Sequence, residues 1–339
     1  MSTLFVVQND THAKNFNILA REAIARGEAV SILLLDGATH ESTERFFDEN
    51  LTPSINRVER TARAFYRSGG LHRARICMRF RSWARAEIGS FDHVVLGNDG
   101  ALQKIIVKAA RVRRPNCRVT VMLDGLLTRE KGRRALAKRR MQRLAERLNL
   151  DEFVPSTVGV SRMIDDITVM HASVADVLRF HGANAQRIAV SPLPRHAAIR
   201  ATARRDASGK KRILFLGSAY LWHGEQTGHD RQTADFAAFS HFAARSAHCE
   251  CRLRIHPRDD ISVYRQLDLT GLQISDGKTS LEEDLMWSDV VVASRSSGLF
   301  DATLAGRRAV VYTAHFPAPE DDAFLSSLPF VSTFEELEQ

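Results

Sequence analysis

Residues 3–37 read TLFVVQNDTHAKNFNILAREAIARGEAVSILLLDG. Leu4-Phe5-Val6-Val7 is a strand-length apolar run that stops at polar Gln8-Asn9-Asp10-Thr11. Phe16, Leu19, Ala20 and Ala23 then share one helical face, which ends near Gly27. Val30 to Leu35 is mostly apolar again and closes at Asp36-Gly37. Strand, helix and strand in that order predict a parallel α/β sheet. The pattern continues outward. His93 to Leu96 reads as a strand, followed by Gly97-Asn98-Asp99-Gly100 and a helix through Ile105, Ile106 and Ala109. Arg118 to Leu123 reads as another strand and ends at Asp124-Gly125.

A second α/β unit begins after Ser191-Pro192-Leu193-Pro194 and the polar, basic stretch Ala201–Lys211, which reads as a linker. Arg212 to Leu216 is a strand ending in Gly217-Ser218. Phe236, Phe239, Phe242 and Ala243 have helical spacing. Cys251 to Ile255 runs into His256-Pro257, Val290 to Ala293 into Ser294-Arg295-Ser296-Ser297-Gly298, and Ala309 to Tyr312 is the last clear strand. The expectation is two Rossmann-like domains, 1–200 and 211–339, facing a cleft. In open α/β sheets ligands bind beyond the carboxyl ends of the strands, so polar clusters there carry the most weight.

The 339 residues are 44% hydrophobic and 26% charged, which fits a globular chain and excludes disordered and fibrous classes. The apolar runs are of strand length, and the N-terminus lacks a basic, long-apolar leader pattern. Cys77, Cys117, Cys249 and Cys251 form no CxxC pair, so reduced thiols and a cytoplasmic location are expected. The net charge of +8 (48 basic against 40 acidic residues) favours anionic partners such as a nucleotide, an acidic glycan or a lipid surface. Among the histidines, His223, His229 and His241 lack ligand-like spacing, and no metal site is expected.

Three clusters sit at strand ends. Asp124-Gly125 offers a carboxylate that can take a proton from a hydroxyl, although Asp-Gly is also a common turn dipeptide. His256-Pro257-Arg258 brings an imidazole and a guanidinium suited to a phosphate, the proline also serving to stop the strand. Ser296 and Ser297 precede a helix whose amides and hydroxyls suit an anion, and either serine would also serve as a plain cap. Asp301 could reach a ribose or simply complement the helix dipole. Gly217 and Ser218 either line a donor site or make a tight turn.

Asp124-Gly125, His256-Pro257 and Ser296-Ser297 resemble, in this order, the three short motifs of bacterial sialyltransferases and polysialyltransferases. Arg212–Ser218 resembles the start of their second domain, and Gly97-Asn98-Asp99 their first-domain loops. The resemblance covers the layout of most of the chain and only short stretches of sequence. It implies a GT-B glycosyltransferase that moves a sugar, sialic acid or a related 2-keto sugar such as Kdo, from a CMP-activated donor with inversion. It needs no obligatory metal or other cofactor. Asp124 would be the base, His256 would bind the phosphate and assist its departure, and Ser296 and Ser297 would hold it. Leu123 stands where the family has a first acid, which leaves Asp99 and Asp10 as reserve bases. Asn9, Asp10, Asn98 and Asp99 are the acceptor-side candidates. The alternatives are a CDP-glycerol glycerophosphotransferase, a UDP-sugar transferase or epimerase, and a non-catalytic scaffold of the same fold.

Two basic segments remain. Arg129–Arg147 carries an apolar stripe at Ala137, Met141, Leu144 and Leu148, which suits an anionic membrane, an acidic acceptor or a core-packing face. Arg73, Arg75, Arg79, Arg81 and Arg85 surround Phe80 and Trp83, but no RNA-binding signature accompanies them, and nucleic acid is not an expected partner.

Overall fold

The computed structural model describes residues 1–35, 43–127, 129–130, 132–154, 157–201, 209–221, 224–259, 261–264, 266–275 and 279–338. The expected Asp36-Gly37 turn, Lys131, His223 and residues 202–208 of the expected linker lie outside them. The chain divides into two units between Arg195 and His196.

Unit 1 runs β1 (Ser2–Val7), α1 (Asp10–Ala25), β2 (Ala29–Leu34), β3 (Ile55–Arg57), α2 (Glu59–Arg67), α3 (Gly70–Glu87), β4 (His93–Leu96), α4 (Ala101–Arg113), β5 (Arg118–Leu123), α5 (Gly132–Arg147), β6 (Asp166–Val169), α6 (Ala172–His181) and β7 (Ile188–Val190). Its seven strands are ordered β3-β2-β1-β4-β5-β6-β7, and the described pairings are all parallel. Leu4, Val6, Val94, Leu96, Val119 and Val121 join residues such as Ile105 and Ile106 of α4 in one core. Central strands buried on both faces read as near-continuous apolar runs, which is why β1, β4 and β5 were legible.

Unit 2 opens with α7 (His196–Arg200) and continues with β8 (Lys211–Leu216), α8 (Gln226–Arg245), β9 (Cys249–Arg254), β10 (Leu272–Ser275), α9 (Leu281–Trp287), β11 (Val290–Ala293), α10 (Gly298–Leu304), β12 (Arg308–Tyr312) and β13 (Phe330–Val331). Its six strands are ordered β10-β9-β8-β11-β12-β13, again parallel. An aromatic core fills one side. Phe215 meets Phe236, Phe239, Tyr312 and Phe334, and Tyr312 stacks on Phe334 with ring centroids 4.2 Å apart.

Each unit is therefore a Rossmann-like sheet flanked by helices, and two such units in tandem make up the expected GT-B architecture. All four cysteines are buried and free of disulfides, and burial raises the Cys77 thiol to about 11. Among the described residues no helix is long and apolar enough to cross a membrane. Phe80 is buried and Trp83 stacks on it at 5.0 Å, so the aromatics among the α3 arginines pack inward.

Candidate functional site

In unit 1 the winding reverses between β1 and β4, and the chain ends of these strands meet that of β5. Asn9 caps α1, its Oδ1 accepting from the His12 backbone N–H at 2.8 Å. The cap sets His12 on the first turn, 2% exposed, with its ring over Gly97. A Cβ at position 97 would lie 2.0 Å from His12 Nε2, so only glycine admits this approach. His12 Nδ1 accepts from Gln8 N–H at 3.3 Å, which turns Nε2 toward β5. Nε2 lies 3.7 Å from Asp124 Oδ2.

Asp124 keeps 18% of its side chain exposed, whereas His12 is enclosed. Burial pushes the Asp124 carboxyl up, but the charge and hydrogen bond of His12, together with Arg195, hold it below its ordinary value. The exposed member of the pair is thus an ionised carboxylate aimed by a buried imidazole.

The neighbouring candidates are arranged differently. Asn98 Nδ2 donates to Gln8 Oε1, and Asn98 Oδ1 accepts from Gly100 N–H at 3.1 Å, so this side chain braces the Gln8 loop beneath His12. Asp99 is buried and its Oδ2 accepts from Gly159 N–H at 3.1 Å; burial raises its pKa against the pull of Lys104. Asp10 Oδ2 lies 3.5 Å from an Arg45 guanidinium nitrogen. Gln8, Asn9, His12, Asn98 and Asp124 therefore form one connected edge, and Asp99 is turned into the core.

In unit 2 the corresponding reversal lies between β8 and β11. Ser218 N–H donates to Gln232 Oε1 at 2.6 Å, and Gln232 Nε2 donates back to Ser218 O at 3.0 Å and to Tyr264 Oη at 2.8 Å. Tyr264 donates to Asp259 Oδ2 at 2.9 Å, and Ser218 Oγ donates to Arg295 O at 2.5 Å. These bonds tie the loops after β8, β9 and β11 into one frame. Within it His256 Nδ1 accepts from Arg258 N–H at 3.1 Å. His256 and Arg258 are half-buried, while Pro257 and Arg295 are exposed.

Ser297 occupies the cap position of α10 but makes no side-chain cap bond; Ser296 Oγ instead accepts from Gly298 N–H at 3.2 Å. A Cβ on Gly298 would come 2.6 Å from Leu216 Cδ1, which explains the glycine where the loop crosses β8. Asp301 is buried with its Oδ1 3.7 Å from His196 Nε2 on α7.

Two groups were not anticipated from sequence. One is His12, whose signal was a histidine one turn after the polar end of the first strand. The other is Asp235 on α8, which takes hydrogen bonds from Ser294 Oγ and from His315 Nδ1, the latter at 2.6 Å. Asp235 is enclosed, whereas the His315 side chain is 41% exposed. Burial raises the Asp235 pKa, and the two donors work against that rise. Its signal was Gln232 and Asp235, one turn apart, beside the apolar Phe236 and Phe239. Among the described residues no group of three or more His, Cys, Asp or Glu could hold a metal ion.

No protein-family model matches the chain, and no curated protein matches it. Solved structures do share its fold. UDP-GlcNAc 2-epimerase from Methanocaldococcus jannaschii, solved with UDP-GlcNAc and UDP, has a TM-score of 0.59 at 13% identity, covering 100% of this chain and 91% of that one. The S. aureus MnaA–UDP structure gives 0.58 at 12% identity over 91% and 78% of the two chains. The spinosyn rhamnosyltransferase SpnG gives 0.51 at 14% identity over 96% and 84%. At these identities the likeness establishes the GT-B fold.

Proposed function

We propose that the chain is an inverting glycosyltransferase that draws on a nucleotide-activated sugar, with UDP as the nucleotide. The observation that carries this reading is the Asp124–His12 pair: a partly exposed carboxylate at the end of β5, kept ionised by a buried imidazole. In the proposed step an acceptor hydroxyl gives its proton to Asp124. Its oxygen bonds to the anomeric carbon, and the bond from that carbon to the phosphate oxygen breaks, the electron pair leaving with the nucleotide. A positioned base of this kind contributes about 10²–10⁴-fold.

Unit 2 is assigned the nucleotide. His256, Arg258, Arg295, Ser218, Ser296 and Ser297 stand at its strand ends and can meet phosphate charge, with no obligatory metal. UDP is favoured by the likeness to structures that hold UDP. The acceptor is a glycan or glycolipid. A second reading, CMP-activated sialic acid or Kdo, is supported by the Asp124-Gly125, His256-Pro257 and Ser296-Ser297 motifs.

The test is thermal unfolding with UDP, CMP and CDP, with His256→Ala beside the wild type. A ligand at 100 times its dissociation constant adds about 2.7 kcal/mol. A shift with UDP that His256→Ala loses is expected; a shift with CMP alone would favour the second reading, and none with any nucleotide would sink both. With a UDP-sugar and an acceptor, Asp124→Asn is expected to lower turnover about 10²–10⁴-fold while UDP binding is kept, and wild-type turnover is expected to survive EDTA. Conversion of the UDP-sugar without an acceptor would mark an epimerase instead.

A further inference from the structure

The apolar stripe of α5 points outward. Leu144 is 58% and Leu148 61% exposed, Met141 is exposed beside them, and Leu136 is exposed between Arg143 and Arg147. The face turned to the protein is made of Ala135, Gln142 and Ala145. At about 100° per residue the solvent side of this helix splits into two strips. Ala137, Met141, Leu144 and Leu148 form the apolar one, and Arg133, Arg140, Arg143 and Arg147 the basic one beside it. The helix holds seven basic residues against a single acid, Glu146.

The same chemistry continues next door. α3 packs on α4, and both meet the short turn Asp151–Phe153 that α5 also touches, so the three helices form one layer. Leu71 and Met78 of α3 are exposed in that layer. Between α3 and α4 it opens into a cavity of about 260 Å³ lined by Arg81, Arg85, Lys108 and Arg111 with Ile105 and Ala109; there Arg81 and Lys108 pair with Glu152, and Arg111 with Asp165.

We propose that this layer, with α5 at its centre, is a docking surface for an anionic phospholipid bilayer. Exposed leucines beside a row of arginines match the two parts of a bilayer surface, acyl chains below and phosphates above. A soluble anionic polymer would satisfy the arginines and leave the leucines in water. The surface shares no residue with the strand ends that carry Asp124 and His256, so this inference and the nucleotide reading stand or fall separately.

The experiment is co-sedimentation of the full chain with phosphatidylcholine vesicles, with and without phosphatidylglycerol. Binding to the phosphatidylglycerol vesicles is expected, weakening as salt is raised. The double substitution Leu144→Glu/Leu148→Glu is expected to weaken it by about tenfold or more, with the unfolding midpoint and nucleotide-induced shift unchanged. Arg140→Glu/Arg147→Glu should weaken it comparably and serves if the first variant misfolds. Absence of wild-type binding would overturn the proposal. So would binding that both double variants retain, which would place the attraction elsewhere. A concentration-dependent dimer in light scattering, abolished by Leu144→Glu/Leu148→Glu in a protein that ignores vesicles, would assign the face to a second copy and equally overturn it.

Discussion

His12 and Asp124 belong to different strand ends, yet the first governs the second. The imidazole is enclosed and the carboxylate is reached by solvent, so in the proposed step the proton of an outside hydroxyl passes to Asp124, with His12 as a positioning residue. Its influence has a sign that can be measured. Burial alone would raise the Asp124 pKa; His12 reverses this. Replacing His12 by Gln removes the imidazole's pull on the carboxylate and leaves burial in place. The acid limb of the kcat/KM profile against pH is therefore expected to move to higher pH. The contribution of this carboxylate to stability follows the same sense. Because its folded pKa is depressed, that contribution is present above the ordinary carboxylate range and lost as pH falls through the folded pKa. An acid limb that stays put in His12→Gln would remove His12 from the mechanism. At this scale the strand-end positions of Asp124 and His256 were legible because a polar residue directly after an apolar run is a local signal. His12 was not, because its role depends on Gly97, which lies close to it only in the folded chain.

The helix α5 shows why an element's periodicity can be read and its orientation missed. Sequence spacing marks the leucine stripe, and a core-packing face was one fair reading of it. The structure buries the opposite face because Gln142 Oε1 accepts from Thr157 N–H at 2.8 Å, and because Ala135 and Ala145 let the helix approach closely. A hydrogen bond to a backbone group in another segment is invisible in the helix's own pattern. β6 and β7 escaped for a related reason: they are short, and β6 opens on Asp166 while β7 is exposed over most of its length. The C-terminal segment of unit 2 carries a buried aromatic. Phe334 is buried, stacks on Tyr312 and meets Phe239 at 4.9 Å. Phe334→Ala is expected to cost about 3–5 kcal/mol in urea unfolding; a loss below about 1 kcal/mol would show that the segment seals nothing.

At the scale of the whole molecule each unit has its own parallel sheet and its own core. Scanning calorimetry is expected to resolve two transitions, with UDP raising only the one that belongs to unit 2. A single transition that UDP moves as a whole would contradict independent units. The division between Arg195 and His196 places α7 with unit 2, where His196 faces Asp301. The linker read at Ala201–Lys211 begins after that helix. The α/β class, the presence of two winding units and the strand ends where polar residues gather can all be read from the chain before it folds. Those features follow from apolar runs and their boundaries, which are contiguous in the chain. That Asp124 is governed by His12, that Asp235 joins Ser294 to His315, that Asp99 turns inward and that α5 shows its leucines to solvent emerges from the folded chain alone. Each of these depends on which distant groups share burial and hydrogen bonds, and the sum of such contacts exists only once the chain has closed on itself.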